Sequence, residues 1–230
     1  MVPVPLSGLV SHDGRWFCLN RYVPGEPVRG ESVEQRRRRG RDLARLDFAL
    51  RDLGGRLGQR HGWHAQHIDF TVHTDVDWAA GINGLARVRT DLAKWAVAAA
   101  EEVERCLASA GGADLPVTVV HGDFAEWNVH YDGDRLAGVV DFGLTHLDSR
   151  PYELAIARTY RSPETVAAYG AELANLGWPL TDLEVACIVP VYRAFRLNMT
   201  AWELDLGHRT GTYNIPMIER QLALTGTAKP

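Results

Sequence analysis

The chain has 230 residues, 46% of them hydrophobic and 23% charged, with a formal net charge of -4 at pH 7. That balance excludes a disordered or low-complexity chain, allows a sizeable core, and argues against a nucleic-acid partner. Cys18, Cys106 and Cys187 lie far apart and are expected as reduced thiols, no run approaches the ~18 apolar residues of a membrane span, and the first residues lack a secretory leader pattern, so a cytoplasmic protein with no membrane partner is expected.

The first expected element is a short hairpin in LVSHDGRWFCLNRYVPG, turning at His12, Asp13 and Gly14 and ended by Pro24 and Gly25. Ser32 followed by Gln35 forms a capping-box pattern, and Leu43, Leu46, Leu50, Leu53 and Leu57 recur at steps of three and four, which predicts an amphipathic helix. The run Arg36 to Arg39 near its start reads as a solvated face. His61 to Gly84 is irregular and is expected as a loop with short helical turns. Its His61, His64 and His67, with Asp69, His73 and Asp75 nearby, are a conceivable metal cluster, although polar surface explains them more simply.

A second long helix is predicted from Leu85 to Ala110, stopped by Gly111 and Gly112. After Pro116, VTVV predicts a short buried strand that delivers His121 into a loop, and NVHYDGDRLAGVVDF predicts a hairpin turned at Asp132 and Gly133. PYELAIARTYRSPETVAAYG reads as a helix pair with Pro163 opening the second member. Thr181 and Glu184 then form another capping-box pattern before a long apolar helix that Pro190 is expected to kink.

The chemistry is concentrated in VVHGDFAEWNVHYDGDRLAGVVDFG, Val119 to Gly143. It contains His121-x-Asp123, then Asn128, then Asp141-Phe-Gly143 beyond the hairpin. Phosphoryl transfer depends mainly on positioning and charge neutralisation: one carboxylate faces the acceptor hydroxyl, while an amide and a second carboxylate hold Mg²⁺ against phosphate oxygens. Asp123, Asn128 and Asp141 are groups of those kinds. Trp127, inside the same loop, could stack on an acceptor ring or pack beneath the loop, and both readings stay open. Tyr192, Arg193, Arg196, Asn198, Trp202, Glu203 and Asp205 could line an acceptor pocket, although at helical spacing the aromatics fit a core better.

This stretch resembles the catalytic motif of the aminoglycoside phosphotransferase and choline kinase family, relatives of the protein kinases. The resemblance implies an α+β, protein kinase-like fold, mainly a helical C-terminal lobe with a small catalytic hairpin. It implies ATP and Mg²⁺ as cofactors and a small-molecule hydroxyl acceptor, with Asp123 as catalytic base, Asn128 and Asp141 as magnesium ligands, and His121 as scaffold of the loop. LNRYVPGEPV resembles the hinge of the family, where backbone groups of Leu19, Asn20, Arg21 and Tyr22 would meet an adenine edge. DLARLDFAL resembles the helix that follows, with Asp47 where the family often has histidine. LDSRPYELA resembles the family's Asp-Pro-x-x-Asp-Leu-Ala segment, with Glu153 in place of its second aspartate.

By the same resemblance, a phosphate-covering loop, a strand lysine and its glutamate partner are expected ahead of the hinge. Only Lys94 and Lys229 are lysines, and neither precedes it. Residues 1–24 are therefore expected as a remnant N-terminal hairpin and hinge, and 25–230 as the helical lobe. The expected function is phosphotransfer with a truncated nucleotide lobe; the alternative is a degenerate relative that binds a small molecule or a partner, or catalyses another reaction, without ATP. The unpaired edge of the hairpin predicts a homodimer formed through it, or its folding back onto the helical lobe.

Overall fold

The computed structural model describes residues 10–17, 22–27, 32–53, 76–157 and 162–229. Strands β1 (Val10–His12) and β2 (Arg15–Phe17) pair antiparallel around Asp13 and Gly14, whose φ of 49° and 72° suit a tight hairpin turn. Strand β3 (Glu26–Pro27) leads to helix α1 (Val33–Leu50), opened by the Ser32–Gln35 capping box, and a 3₁₀ turn (Arg51–Leu53) ends this arm. Leu57 and the histidine-rich 61–75 lie outside the described residues.

The single helix expected from Leu85 to Ala110 is two helices, α2 (Trp78–Val88) and α3 (Thr90–Ser109). The chain leaves helical geometry at Arg89 (φ -147°, ψ 81°), whose guanidinium donates to both carboxylate oxygens of Asp91 (2.9 and 2.8 Å) and to Glu219 (3.2 Å). The apolar period runs through the break, so periodicity alone does not reveal it. Helix α2 also claims residues expected as loop. Its Gly81 and Gly84 are poor helix formers, yet a Cβ at Gly81 would lie 2.9 Å from Leu204 Cβ, and one at Gly84 would collide with the Tyr213 hydroxyl. Close packing against the C-terminal helices selects glycine there.

Gly111, at φ 78°, terminates α3 as expected. Strand β4 (Thr118–Val120), the hairpin β5 (Val129–Asp132) and β6 (Arg135–Val139), and β7 (His146–Asp148) follow. The hairpin turns at Gly133 and Asp134, one residue later than expected, because Asp132 still pairs with Arg135 and the left-handed φ of 57° falls on Gly133. Next come α4 (Arg150–Ile156), α5 (Pro163–Asn175), α6 (Asp182–Thr210) and α7 (Ile215–Leu224). The Thr181–Glu184 capping box is present, and α6 runs on through Pro190.

The architecture is α+β, with helices dominating and the strands in small antiparallel sheets ordered β1-β2, β3-β5-β6 and β4-β7. Leu43, Leu46 and Leu50 of α1 pack with Phe124, Val129, Val139, Tyr169 and Leu173, so one helix face seals the site-bearing hairpin. Each such leucine contributes roughly 1.5–3 kcal/mol on burial. A second core joins α3, α4 and α6, and a third joins α2, α3, α6 and α7. Cys106 and Cys187 are free thiols, and no helix among the described residues is long and apolar enough to cross a membrane.

Candidate active site

Strand β4 ends at Val120, paired with His146, and delivers His121 into a fully buried position. Its Nδ1 accepts the Asp123 N–H (3.2 Å), which assigns the ring proton to Nε2, 3.0 Å from the Val140 carbonyl. The ring meets Phe142 edge-on at a centroid distance of 4.5 Å. Burial pushes the His121 pKa down to about 4, so the imidazole is neutral and acts as a fixed spacer. Gly122 takes φ 79°, where a Cβ would collide with the Leu144 carbonyl, and its N–H donates to Glu153 Oε2 (2.9 Å).

The β5–β6 register places the two ends of the hairpin together. Val129 pairs with Val139, and beyond that pair the Val140 N–H donates to the Asn128 carbonyl (2.9 Å). The Asn128 side-chain nitrogen donates to Asp123 twice, to Oδ2 at 2.7 Å and to the main-chain oxygen at 2.9 Å. Asp141 follows Val140 in a left-handed conformation (φ 62°, ψ 66°), and its Oδ1 accepts the Gly143 N–H at 3.3 Å. His121, Asp123 and Asn128 thus form one hydrogen-bonded unit with Val140, and Asp141 is the next residue, with its side chain exposed.

Two supports for this loop escape the sequence reading. Arg39, expected on a solvated face, is 5% exposed; it donates to the Phe124 carbonyl (3.1 Å) and lies over the Phe124 ring. The run does not act as a uniform basic face: Arg36 pairs with Glu164 and Arg38 with Asp134, while Arg39 points inward because α1 lies across the loop that carries Asp123 and Phe124. The second support is Glu153, fully buried on α4 and bonded to Gly122. The sequence signal for it was the Asp-Leu-Ala-like segment, where glutamate stands at the altered position. Alongside, Arg150 makes a buried two-pronged pair with Glu184, its Nε 2.7 Å from Oε1, and lies 4.1 Å from the Trp178 ring centroid.

Leu19, Asn20 and Arg21 lie outside the described residues, and Tyr22 is 81% exposed. The histidine cluster from His61 to His73 and Asp75 also lies outside them, and among the described residues no three or more His, Cys, Asp or Glu side chains gather to hold a metal ion. Trp127 is 48% exposed on the 3₁₀ turn before β5, so it does not pack beneath the loop. Tyr192 is buried core with Arg196 stacked on its ring, while Trp202 is exposed. Lys94 is exposed on α3, and Lys229 pairs with Asp91 and Glu219.

The chain matches the phosphotransferase enzyme family over residues 1–196. It is 30% identical over 144 residues to a homoserine kinase of Brucella anthropi, an alignment covering 62% of this chain and 40% of that protein. It thus spans well under half the length of that relative. A choline/ethanolamine kinase family protein from Mesorhizobium loti has the same fold at TM-score 0.56 and 19% identity, covering 98% of this chain and 75% of that one. The GDP complex of aminoglycoside 2'-phosphotransferase-IIIa superposes at TM-score 0.56 and 12% identity, covering 98% and 74%. With the His121–Asp123–Asn128 unit and the neighbouring Asp141 in a kinase-like fold, the chain belongs to the phosphotransferase enzyme family.

Proposed function

We propose that the chain transfers the γ-phosphoryl group of ATP to a hydroxyl of a small molecule, with Asp123 as the base. The observation that carries this reading is the double grip of Asn128 on Asp123, made from a residue whose carbonyl is tied to Val140 beside Asp141. Asp123 takes the proton of the attacking hydroxyl; a new oxygen–phosphorus bond forms, the bond to the β-phosphate oxygen breaks, and ADP leaves. His121 holds the Asp123 amide, and Glu153 holds the amide before it, so the carboxylate is presented at a fixed height.

Asn128 and Asp141 are the residues that would hold Mg²⁺. The fit rests on donor chemistry: both Asn128 amide hydrogens go to Asp123, which turns its oxygen away from that carboxylate, and Asp141 offers an exposed carboxylate. Hard oxygen donors of this kind suit the ion. When bound, Mg²⁺ supplies neutralisation of phosphate charge.

Calorimetric titration of ATP with and without Mg²⁺, on the wild type and on Asp141→Ala, tests the reading. Magnesium-dependent binding that disappears in the variant is expected; binding indifferent to both would overturn it. A homodimer through the N-terminal hairpin is part of the proposal, read from the molar mass by light scattering. A second reading, a relative that binds a small molecule without phosphotransfer, draws on the lysines: Lys94 and Lys229 both belong to the α3–α7 side of the lobe. Absence of nucleotide binding would favour it.

A further inference from the structure

Beneath the turn that carries Asp123 lie two carboxylates that take no direct part in the proposed transfer step. Asp47 on α1 and Glu153 on α4 are both fully buried. Each has one oxygen engaged: the Tyr169 hydroxyl donates to Asp47 Oδ2 at 2.6 Å, and the Gly122 N–H donates to Glu153 Oε2 at 2.9 Å. The other oxygens, Asp47 Oδ1 and Glu153 Oε1, are buried with no hydrogen-bond partner among the described residues. An ionised carboxylate is costly in such a place, and a second one nearby raises the cost. Glu153 lies close enough to Asp47 to be raised by its charge, so a hydrogen held by either group removes one of the two buried charges.

We propose that Asp47 and Glu153 hold one proton between them at neutral pH, and that this acid–carboxylate pair is a positioning device fixing the Gly122 amide, and with it Asp123, from below. Among the described residues, the charged groups that act on the pair are engaged elsewhere. Arg150 on α4 is the cation acting on Asp47, but its guanidinium is committed to Glu184 and to the carbonyls of Trp178 and Pro179. His146 and Asp148 on β7 act on Glu153 and are paired with each other at 3.3 Å. Tyr152 and Tyr169 are kept as neutral phenols by burial. Burial pushes Asp47 up to about 7; burial, then repulsion from Asp47, pushes Glu153 up to about 8.

The test needs neither nucleotide nor turnover, so its failure is distinct from failure of the phosphotransfer reading. Infrared difference spectra of the wild-type chain are expected to show a protonated-carboxyl C=O band at neutral pH that disappears as the pH is raised to about 9. In Asp47→Asn the band is expected to titrate away at a lower pH than in the wild type, because Glu153 then lacks the like-charged neighbour that helps to raise it, whereas in Glu153→Gln the band that remains is that of Asp47, held up by burial. Thermal unfolding supplies a second readout. Both folded-state values lie above the ordinary carboxyl range, so the folded chain binds more protons than the unfolded one, and the melting temperature falls as pH rises toward about 7 and 8. Measured above pH ~6.5, the ordinary value of histidine, the slope excludes His121; His146 contributes with the same sign but remains in Asp47→Asn, so the difference in slope reports the pair. Absence of the band from the wild type at neutral pH, or equal slopes in wild type and Asp47→Asn, would overturn the proposal. If neither variant folds, Tyr169→Phe decides: removing the hydroxyl that donates to Asp47 is expected to move the disappearance of the band to higher pH, and an unmoved band would overturn the proposal.

Discussion

Asn128 Nδ2 lies 2.7 Å from Asp123 Oδ2 and 2.9 Å from the Asp123 main-chain oxygen, so one amide fixes both the carboxylate and the backbone of the residue proposed as base. Asn128→Ala removes both bonds at once. Turnover is expected to drop ~10–100-fold through mispositioning alone, the scale seen when a supporting group beside a reactive one is lost. Magnesium affinity should weaken as well, which steady-state kinetics over a magnesium series would show.

Asp123→Asn keeps the size of the side chain and removes its basicity. Phosphoryl transfer should fall ~10²–10⁴-fold, the usual range for a general base, while the urea midpoint stays near that of the wild type. Unchanged turnover would remove Asp123 from the mechanism.

Gly122→Ala meets two obstacles, a left-handed φ of 79° and the Leu144 carbonyl in the space a methyl group would occupy. The cost is expected at ~1–3 kcal/mol, seen as an earlier urea midpoint. Hydrogen exchange at the Gly122 amide should accelerate, since its bond to Glu153 is the one displaced.

Arg150→Met strands Glu184, which is fully buried, without its partner. Breaking one side of such a pair costs ~3–5 kcal/mol, whereas replacing both partners by apolar residues of similar volume costs far less. Denaturant unfolding of Arg150→Met beside the double variant Arg150→Met with Glu184→Leu tests this, and equal losses would contradict it.

The acid side is set in part by His121. Its folded-state pKa of about 4 lies below the ordinary histidine value of 6.5, so the unfolded chain binds the extra proton and stability from this group is lost as pH falls from 6.5 toward 4. Nitrogen-detected NMR should find the His121 ring neutral, with its proton on Nε2, throughout that interval. A ring titrating near 6.5 would mean that the site is wetter than its burial implies.

Much of the fold was legible because local signals and tertiary contacts agree. The two capping boxes, the Asp13–Gly14 turn, Gly111 as a helix stop and the Pro163 helix start each depend on a few adjacent residues and lie where the sequence places them. The convergence of His121, Asp123 and Asn128 was legible for the same reason, since a short loop and a hairpin bring them together. What escaped depends on distant partners. Arg89 breaks a continuous apolar period because Asp91 and Glu219 capture its side chain, and Gly81 and Gly84 are tolerated in α2 only because Leu204 and Tyr213 press against them. Arg39 could not be separated from its neighbours without knowing that Phe124 lies under α1.

Strand β3 has a mechanical consequence. Glu26 and Pro27 pair with Tyr131 and His130, and Gly25 sits where any side chain would strike the Tyr131 carbonyl. The segment just after the hinge-like stretch is therefore stitched to the hairpin that joins Asn128 to Asp141. A displacement of Glu26 and Pro27 is passed directly to Tyr131 and His130, so β3 and the β5–β6 hairpin respond as parts of one sheet.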